Sequence, residues 1–366
     1  MKISINQMEF QNALTVVTKG ISGRSTLPIL SGVYLKASQD RLILQTTDLE
    51  LSVQYSIDTL IEEEGETVVP AKLLFEIIKS LPDAAVSLVL INDSIVVTCG
   101  SSSFSLKTLN PEDFPGFPHV EAHQRVTLPF DIFSSMVKKV SRVVSKDESR
   151  AILTGVLISL ENKHLKMVAT DSYRLAISEY DIKEIQENTF EAVISGTFLQ
   201  DIVSVPKINN EISLDLAENQ IIVTYGNTVF INRRIEGNFP NYKQLLPDNY
   251  ITRAKVNLSQ LVGSVKRVAL LNNIASPIRF DVNLDSQTIQ LFTIAQDVGS
   301  AQETLTGNIS GENTEIAFNY AYIIDGLSAI STENVYLEIQ NSMKPGIFRS
   351  EEEENFLYLI MPVRIS

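Results

Sequence analysis

Four carboxylates stand where metal-assisted phosphodiester chemistry could be run: Asp48 with Glu50, Asp171 and Asp297. Acids of this kind hold divalent ions in nucleases, where the ion activates water and steadies the leaving oxygen. Their placement supports a second reading. Asp48, Asp171 and Asp297 fall in one slot of three similar segments, LQTTDLELSV, VATDSYRLAIS and FTIAQDVGSAQ. A slot filled three times suits a turn or cap, because a short carboxylate can bond the backbone two residues on. Other chemistry-bearing residues are sparse. His119 and His123 lie in a Pro-rich stretch and His164 in a turn, with no HExxH or similar pairing. No metal and no cofactor are expected. The single cysteine, Cys99, follows two valines in a strand-like run. It permits no internal disulfide and reads as buried filler.

The elements that carry these residues repeat. Residues 126–177 set the pattern: a short strand at 125–128, an amphipathic helix, then two strands around a polar turn. Phe133, Met136, Val137, Val140, Val143 and Val144 form one apolar stripe at helical spacing. Lys138, Lys139, Arg142 and Lys146 fall opposite it. Such a ridge can meet phosphates, and it is also what an ordinary solvated face looks like.

The same word order recurs three times, about every 120 residues. That period suits three similar domains rather than a solenoid. The openings are ISINQMEFQNALTVVTKGI, VTLPFDIFSSMVKKVSRVV and VNLSQLVGSVKRVALL, each a strand followed by a helix. Strand runs of alternating polarity follow, as half-buried antiparallel strands require. The second half of each copy repeats the plan, so each domain holds two β-α-β-β-β units. NPEDFPGFPHV and EGNFPNYKQLLP read as linkers from their Pro and Gly density. The expected domains are 1–122, 123–249 and 250–366, and the expected class is α+β. The acidic run at 351–354 reads as a solvated hairpin tip.

The 366-residue chain is 44% hydrophobic, ordinary for a globular protein. No apolar run approaches the ~20 residues that span a membrane. The opening MKISINQ lacks the apolar core of a signal peptide, so a cytoplasmic location is expected. The net charge of −14, taken as a total, argues against gripping DNA with the outer surface. The distribution of that charge points the other way. The six helical windows (7–20, 70–81, 129–146, 196–207, 258–271 and 319–330) hold ten basic and five acidic residues, a net of +5, which leaves −19 elsewhere. Six units with helices on one side suggest an arc that two chains would close head to tail. Twelve helices of ~10 Å diameter enclose a hole of ~28 Å, wide enough for a duplex and its water. A basic bore would hold phosphates without reading bases. Leu270 lies ~180° from Leu261 and off the helix stripe, which leaves it as an exposed helix end or as a subunit contact.

Taken together, the segments GRSTLPIL (23–30), TDLE (47–50), FSLKTL with EDFP (104–115), ATDSYRLA (169–176), NFPNYKQLLP (238–247), FNYAYIID (318–325) and MPVRIS (361–366) resemble the bacterial sliding clamp family, the beta subunit of DNA polymerase III, over the whole length. The resemblance implies a head-to-tail homodimeric ring with helices inside and antiparallel sheets outside. It implies a non-catalytic protein that encircles double-stranded DNA and tethers the replicative polymerase catalytic subunit, the clamp loader and other clamp-motif proteins, with no membrane partner. It further implies a peptide groove at Leu153, Thr170, Ser172, Tyr173, Arg174, Leu175, Pro240, Gln244, Leu245, Asn319, Tyr322, Met343, Pro345, Leu359, Met361, Pro362, Val363 and Arg364. Met and Leu there can adapt to varied side chains.

Gln244 stands where some members carry a basic residue, and Tyr173 where some carry His. For DNA, Arg24 and Lys72 match family contacts. Asp147, Ala151 and Ile152 replace Gln and Tyr residues of some members, which leaves Arg150 or Lys146 to serve. With the helix ridges this gives Arg24, Lys72, Lys138, Lys139, Arg142, Lys146, Arg150, Lys266 and Arg267 as the expected DNA-binding set. The implied dimer contacts are Phe104 on one edge and Leu270 and Leu271 on the other. Two other functions stay open on the residues alone: a peptide-binding scaffold that does not encircle DNA, and a carboxylate metal-dependent nuclease.

Overall fold

A computed structural model describes residues 1–366 apart from 22–26, 183–188, 272–276, 296, 352–354 and 365–366. The first repeat runs β1 (Lys2–Asn6), α1 (Gln7–Val17), β2 (Gly32–Ser38), β3 (Arg41–Thr47), β4 (Leu51–Asp58), β5 (Leu60–Glu63), β6 (Gly65–Pro70), α2 (Ala71–Ser80), β7 (Ala85–Ile91), β8 (Ser94–Cys99) and β9 (Ser102–Lys107). The second runs β10 (Gln124–Pro129), α3 (Phe130–Val140), β11 (Gly155–Glu161), β12 (His164–Thr170), β13 (Arg174–Asp181), β14 (Phe190–Ser195), α4 (Gly196–Ser204), β15 (Glu211–Leu216), β16 (Gln220–Tyr225) and β17 (Thr228–Arg233). The third runs β18 (Thr252–Asn257), α5 (Leu258–Val268), β19 (Ile278–Asn283), β20 (Thr288–Ala295), β21 (Gly299–Thr306), β22 (Asn308–Ser310), β23 (Thr314–Phe318), α6 (Tyr320–Leu327), β24 (Asn334–Ile339), β25 (Gly346–Ser350) and β26 (Phe356–Ile360). Among the described residues the β-α-β-β-β plan is present six times, with β5 and β22 added as short edge strands.

Local chemistry starts the helices. Asn6, Asn257 and Asn319 occupy the N-cap positions of α1, α5 and α6, and each side chain accepts from amides of the first turn. On α3 the expected stripe is buried at Phe133, Met136, Val137, Val140 and Val143, while Val144 is only partly covered. The helix is shorter than its periodicity implies. It stops at Val140 and passes through a single 3₁₀ turn at Ser141–Val143. Side chains take the carbonyls there: Gln200 donates to Ser141 O and Arg174 to Arg142 O, so no further helical turn is needed to satisfy them.

Among the described residues the strands form four antiparallel sheets. One has five strands in the order β5-β1-β7-β8-β9 and one has eight, β10-β15-β16-β17-β4-β3-β2-β6. The third has nine, β14-β11-β12-β13-β26-β25-β24-β18-β22, and the fourth has four, β21-β20-β19-β23. The two longest sheets draw on successive repeats. β17 pairs with β4 from Thr228↔Tyr55 to Asn232↔Leu51, and β26 pairs with β13 from Phe356↔Ser178 to Ile360↔Arg174.

The chain divides into two compact units. Met1–Phe133 with Asp201–Arg234 contains the five- and eight-stranded sheets and buries Phe10, Leu14, Tyr225 and Phe230. Ser134–Gln200 with Ile235–Ser366 contains the other two and buries Phe280, Phe318, Phe348, Phe356 and Tyr358. Each such aromatic contributes about 2–3 kcal/mol by leaving water. No helix among the described residues is long and apolar enough to cross a membrane.

Candidate peptide groove and basic helix ends

The repeated aspartates build turns. Asp48 Oδ1 accepts from the amides of Glu50 and Leu51, at 3.0 and 2.8 Å. Asp171 Oδ1 does the same for Tyr173 and Arg174, at 3.0 and 3.1 Å. The residue after each aspartate is left-handed: Leu49 at φ 77° and Ser172 at φ 79°. One oxygen of each of these two carboxylates thus serves backbone amides, as the turn reading expects. Asp297, directly after position 296, which lies outside the described residues, is an exposed turn residue.

The second of these turns carries Arg174, the most connected side chain of the expected groove. It is 9% exposed. Its Nε meets Asp171 Oδ2 at 2.9 Å and its Nη1 meets Asp325 Oδ2 at 2.5 Å. Nη1 also reaches the Tyr358 hydroxyl, and Nη2 donates to Arg142 O. The guanidinium lies 4.4 Å from the Tyr322 ring centre, and Tyr322 stacks on Tyr173 at 6.3 Å. Burial alone would lower the arginine's pKa; Tyr358, Asp325 and Asp171 outweigh it and keep the charge in place. Burial also pushes the Tyr358 phenol above its ordinary range. That phenol donates to Tyr322 O at 2.8 Å. Gly326 makes room for the packing, since a Cβ there would lie 2.2 Å from the Tyr358 ring.

Beside this hub is an apolar floor. Leu175 and Leu359 are buried, stand opposite each other across the β13–β26 pair, and pack with Tyr242 and Met361. Thr170 is buried, and its hydroxyl donates to Arg174 O and accepts from the Ser172 amide. Leu153 is buried at the end of a 3₁₀ segment, Glu148–Thr154. The C-terminal strap joins two parts of the floor: the Met361 amide donates to Tyr173 O and the Val363 amide to Ala317 O, both at 2.8 Å. Tyr173, Leu245, Met343 and Val363 are exposed apolar surface. Pro240, Gln244 and Arg364 are exposed as well, while Pro345 and Pro362 are half-buried. Asn319 has a prior task, capping α6. Sequence reading missed Tyr242, Asp325 and Tyr358. Tyr242 sits inside the motif NFPNYKQLLP and Asp325 closes the motif FNYAYIID, but nothing local marks Asp325 or Tyr358 as a partner of Arg174.

The expected DNA-binding residues divide by what holds them. Arg24 lies outside the described residues. Lys72 on α2, Lys138 on α3, Lys266 on α5, and Lys146 are exposed. Lys139 lies 5.5 Å over the Phe356 ring, and Arg142 donates to Ser328 Oγ at 2.9 Å. Arg150 is bound to Asp147 and to Ser172 Oγ. Arg267 is held by Glu303 through two bonds of 2.5 and 2.7 Å, which occupies much of its donor fork. That bond, with Ser264, draws the Glu303 pKa from 4.5 down to about 2. The stability this pair adds is present above about pH 4.5 and is lost as pH falls through about 2. An NMR titration should place the Glu303 midpoint near 2, and Arg267→Gln should return it toward 4.5.

The expected dimer contacts sit at sheet ends. Phe104 is 37% exposed on β9, the last strand of the five-stranded sheet. Leu270 is 82% exposed in the turn Ala269–Leu271, which packs on β21, the end strand of the four-stranded sheet. Leu271 is half-buried.

Three family models match the chain in succession: the N-terminal domain of the DNA polymerase III beta subunit at residues 1–118, its central domain at 127–241 and its C-terminal domain at 243–364. The beta sliding clamp of Staphylococcus epidermidis is 30% identical over 100% of this chain and 99% of its own length. That of Synechocystis is 31% identical, with both chains covered completely. The crystal structure of the DNA polymerase sliding clamp from Bacillus subtilis superposes with a TM-score of 0.95 at 26% identity, again over both full chains. The fold is therefore the α+β three-domain clamp fold with antiparallel sheets. Proteins of this class act by holding a polymerase in place and perform no chemistry themselves. The chain belongs to the bacterial beta sliding clamp family, the DNA polymerase III beta subunit, a non-catalytic processivity factor of the replicative polymerase.

Proposed function

We propose that two copies of this chain close head to tail around duplex DNA in the cytoplasm, and that the ring tethers polymerase, clamp loader and repair proteins through the Arg174 groove. A rule of strand pairing carries the reading. The last strand of the second repeat, β17, pairs with the fourth strand of the first, β4; the last strand of the third, β26, pairs with the corresponding strand of the second, β13. Continuing the rule pairs β9, the last strand of the first repeat, with β21, the corresponding strand of the third, in another copy. Among the described residues β9 has only β8 beside it, and β21 only β20. Phe104 and Leu270 lie at these two edges, and an exposed strand edge is a template for pairing.

This surface has its own test. Phe104→Asp with Leu270→Asp should convert dimers to monomers at micromolar concentration in sedimentation runs. Each apolar side chain removed from the interface weakens association by about 1.5–3 kcal/mol. Dimers that survive both changes would place the interface elsewhere.

The exposed lysines of α2, α3 and α5 and the remaining cationic ends would meet phosphates without reading sequence. The groove supplies an apolar floor with Met361 and exposed Met343, which suit varied peptide side chains. The decisive experiment loads the protein onto a nicked circular plasmid and measures retention before and after linearisation. A topological link predicts long retention on the circle and rapid loss once ends are made. Equal retention on both would mean ordinary contacts and would exclude the ring. Peptide binding without retention on either form would favour a scaffold.

A further inference from the structure

Next to the C-terminal strap is a second concavity of about 770 Å³ that the groove residues do not account for. Its floor is Ile251 and Thr252 at the start of β18; one wall is the turn into β23 with Glu312 and Glu315, and the other is the 340–343 turn. Met343 and Arg364 line it and also belong to the expected groove, so on the groove reading the two sites share these side chains.

The walls are built, not loose. Gly311 has φ 104°, and a Cβ on it would lie 1.9 Å from Ile251 O, so the turn rests directly on the β18 backbone. Thr252 Oγ1 donates to Glu312 O at 2.6 Å and accepts from the Glu312 amide at 3.2 Å. On the far wall Asn341 Oδ1 accepts from the Met343 amide at 2.9 Å.

The surface combines two kinds of group. Ile251 is 45% exposed and Met343 70%, both available to aliphatic stems. Glu312 and Glu315 supply carboxylates against the single guanidinium of Arg364 within the lining. Asp281, opposite Glu315 across the β19–β23 pair, adds a third carboxylate on that face; Arg279 meets Glu315 at 3.6 Å and offsets part of it. Long cationic side chains match this combination, because lysine and arginine lay apolar stems on apolar surface and hold the charge at the rim.

We propose that this concavity receives a lysine- or arginine-bearing segment flanking the apolar motif of a partner peptide, and so favours partners whose motif has basic neighbours. The inference rests on the groove reading and deepens it. On that reading, sharing Met343 and Arg364 lets one chain occupy both, and the carboxylates select the charge.

The test uses the full-length protein and the tightest binder from a capped library of Leu- and Phe-rich heptapeptides. That peptide is compared with versions extended at either end by Lys-Lys or by Gln-Gln. One Lys-Lys extension should bind about threefold to tenfold tighter than its Gln-Gln counterpart at low salt, the range two exposed ion pairs supply. The gain should shrink in 0.5 M salt. Glu312→Gln with Glu315→Gln should abolish it and leave the unextended peptide unchanged. Glu62→Gln with Glu63→Gln, on β5 in the other compact unit, controls for attraction of any cation by a chain of net charge −14. No gain at either end would overturn the proposal, as would a gain that survives Glu312→Gln with Glu315→Gln or falls equally in the control. If no unextended peptide binds, the groove reading itself fails.

Discussion

Arg174→Met is expected to weaken peptide binding more than tenfold and to lower the apparent melting temperature by about 5 °C. The substitution keeps the volume and removes the fork that links Asp171, Asp325, Tyr358 and Arg142 O. Breaking a buried pair by deleting one partner costs about 3 kcal/mol, because the remaining carboxylates lose their counter-charge. The low end of the known range applies, since Asp325 is 36% exposed and water can reach it. Binding should suffer more than folding. The guanidinium backs the Tyr322 ring, and Tyr322 stacks on exposed Tyr173, so the groove's aromatic wall is set by this side chain. Arg174→Lys separates charge from shape: an ammonium cannot bond three directions in one plane. Calorimetric titration of a bound peptide decides the matter. Wild-type affinity in Arg174→Lys would show that the fork does not order the tyrosines.

Reversing Lys138, Arg142 and Lys146 to Glu should shorten retention on closed circular DNA by more than tenfold and leave peptide affinity within twofold. All three side chains are exposed at the end of α3 and beyond it. For every phosphate no longer neutralised, the salt dependence of DNA binding should fall by about 0.9 in log–log slope. Arg142 makes the variant informative, because its carbonyl, not its side chain, serves Arg174. The backbone acceptor survives the substitution, so the groove should remain intact. Unchanged retention in this variant would remove the α3 ridge from the DNA-contact set. Together with Arg174→Met it forms a double dissociation, one variant losing peptide and keeping DNA, the other the reverse.

Much of this molecule is written locally. The 3.6-residue stripe of α3 names its own buried face, and Phe133, Met136, Val137, Val140 and Val143 are inside. The recurrence of Asp48 and Asp171 marks turns, because an Asx turn needs only a carboxylate and the two residues after it. The family motifs are legible for a related reason: runs such as ATDSYRLA combine a turn and a strand start in one short segment.

What stays hidden depends on residues distant in sequence. Asp325 lies 151 positions from Arg174, and Tyr358 lies 184 away. No periodicity specifies such partners; they meet because β26 pairs with β13 and α6 packs beside them. The early stop of α3 has the same origin, since Gln200 and Arg174 claim carbonyls that another helical turn would have used. Arg267 counts as a free cation in a charge tally, and β21 brings Glu303 to it. Which strands join one repeat to the next is also undecided locally. Alternation tells a strand which face to bury but not which edge to meet, and edges are chosen only when whole sheets assemble. The sequence by itself determined the repeated order of strands and helices, the buried face of α3, the Asp48 and Asp171 turns and the family. Tertiary structure decided which charges are already spent and which remain available to a ligand, because that depends on neighbours brought together from across the chain.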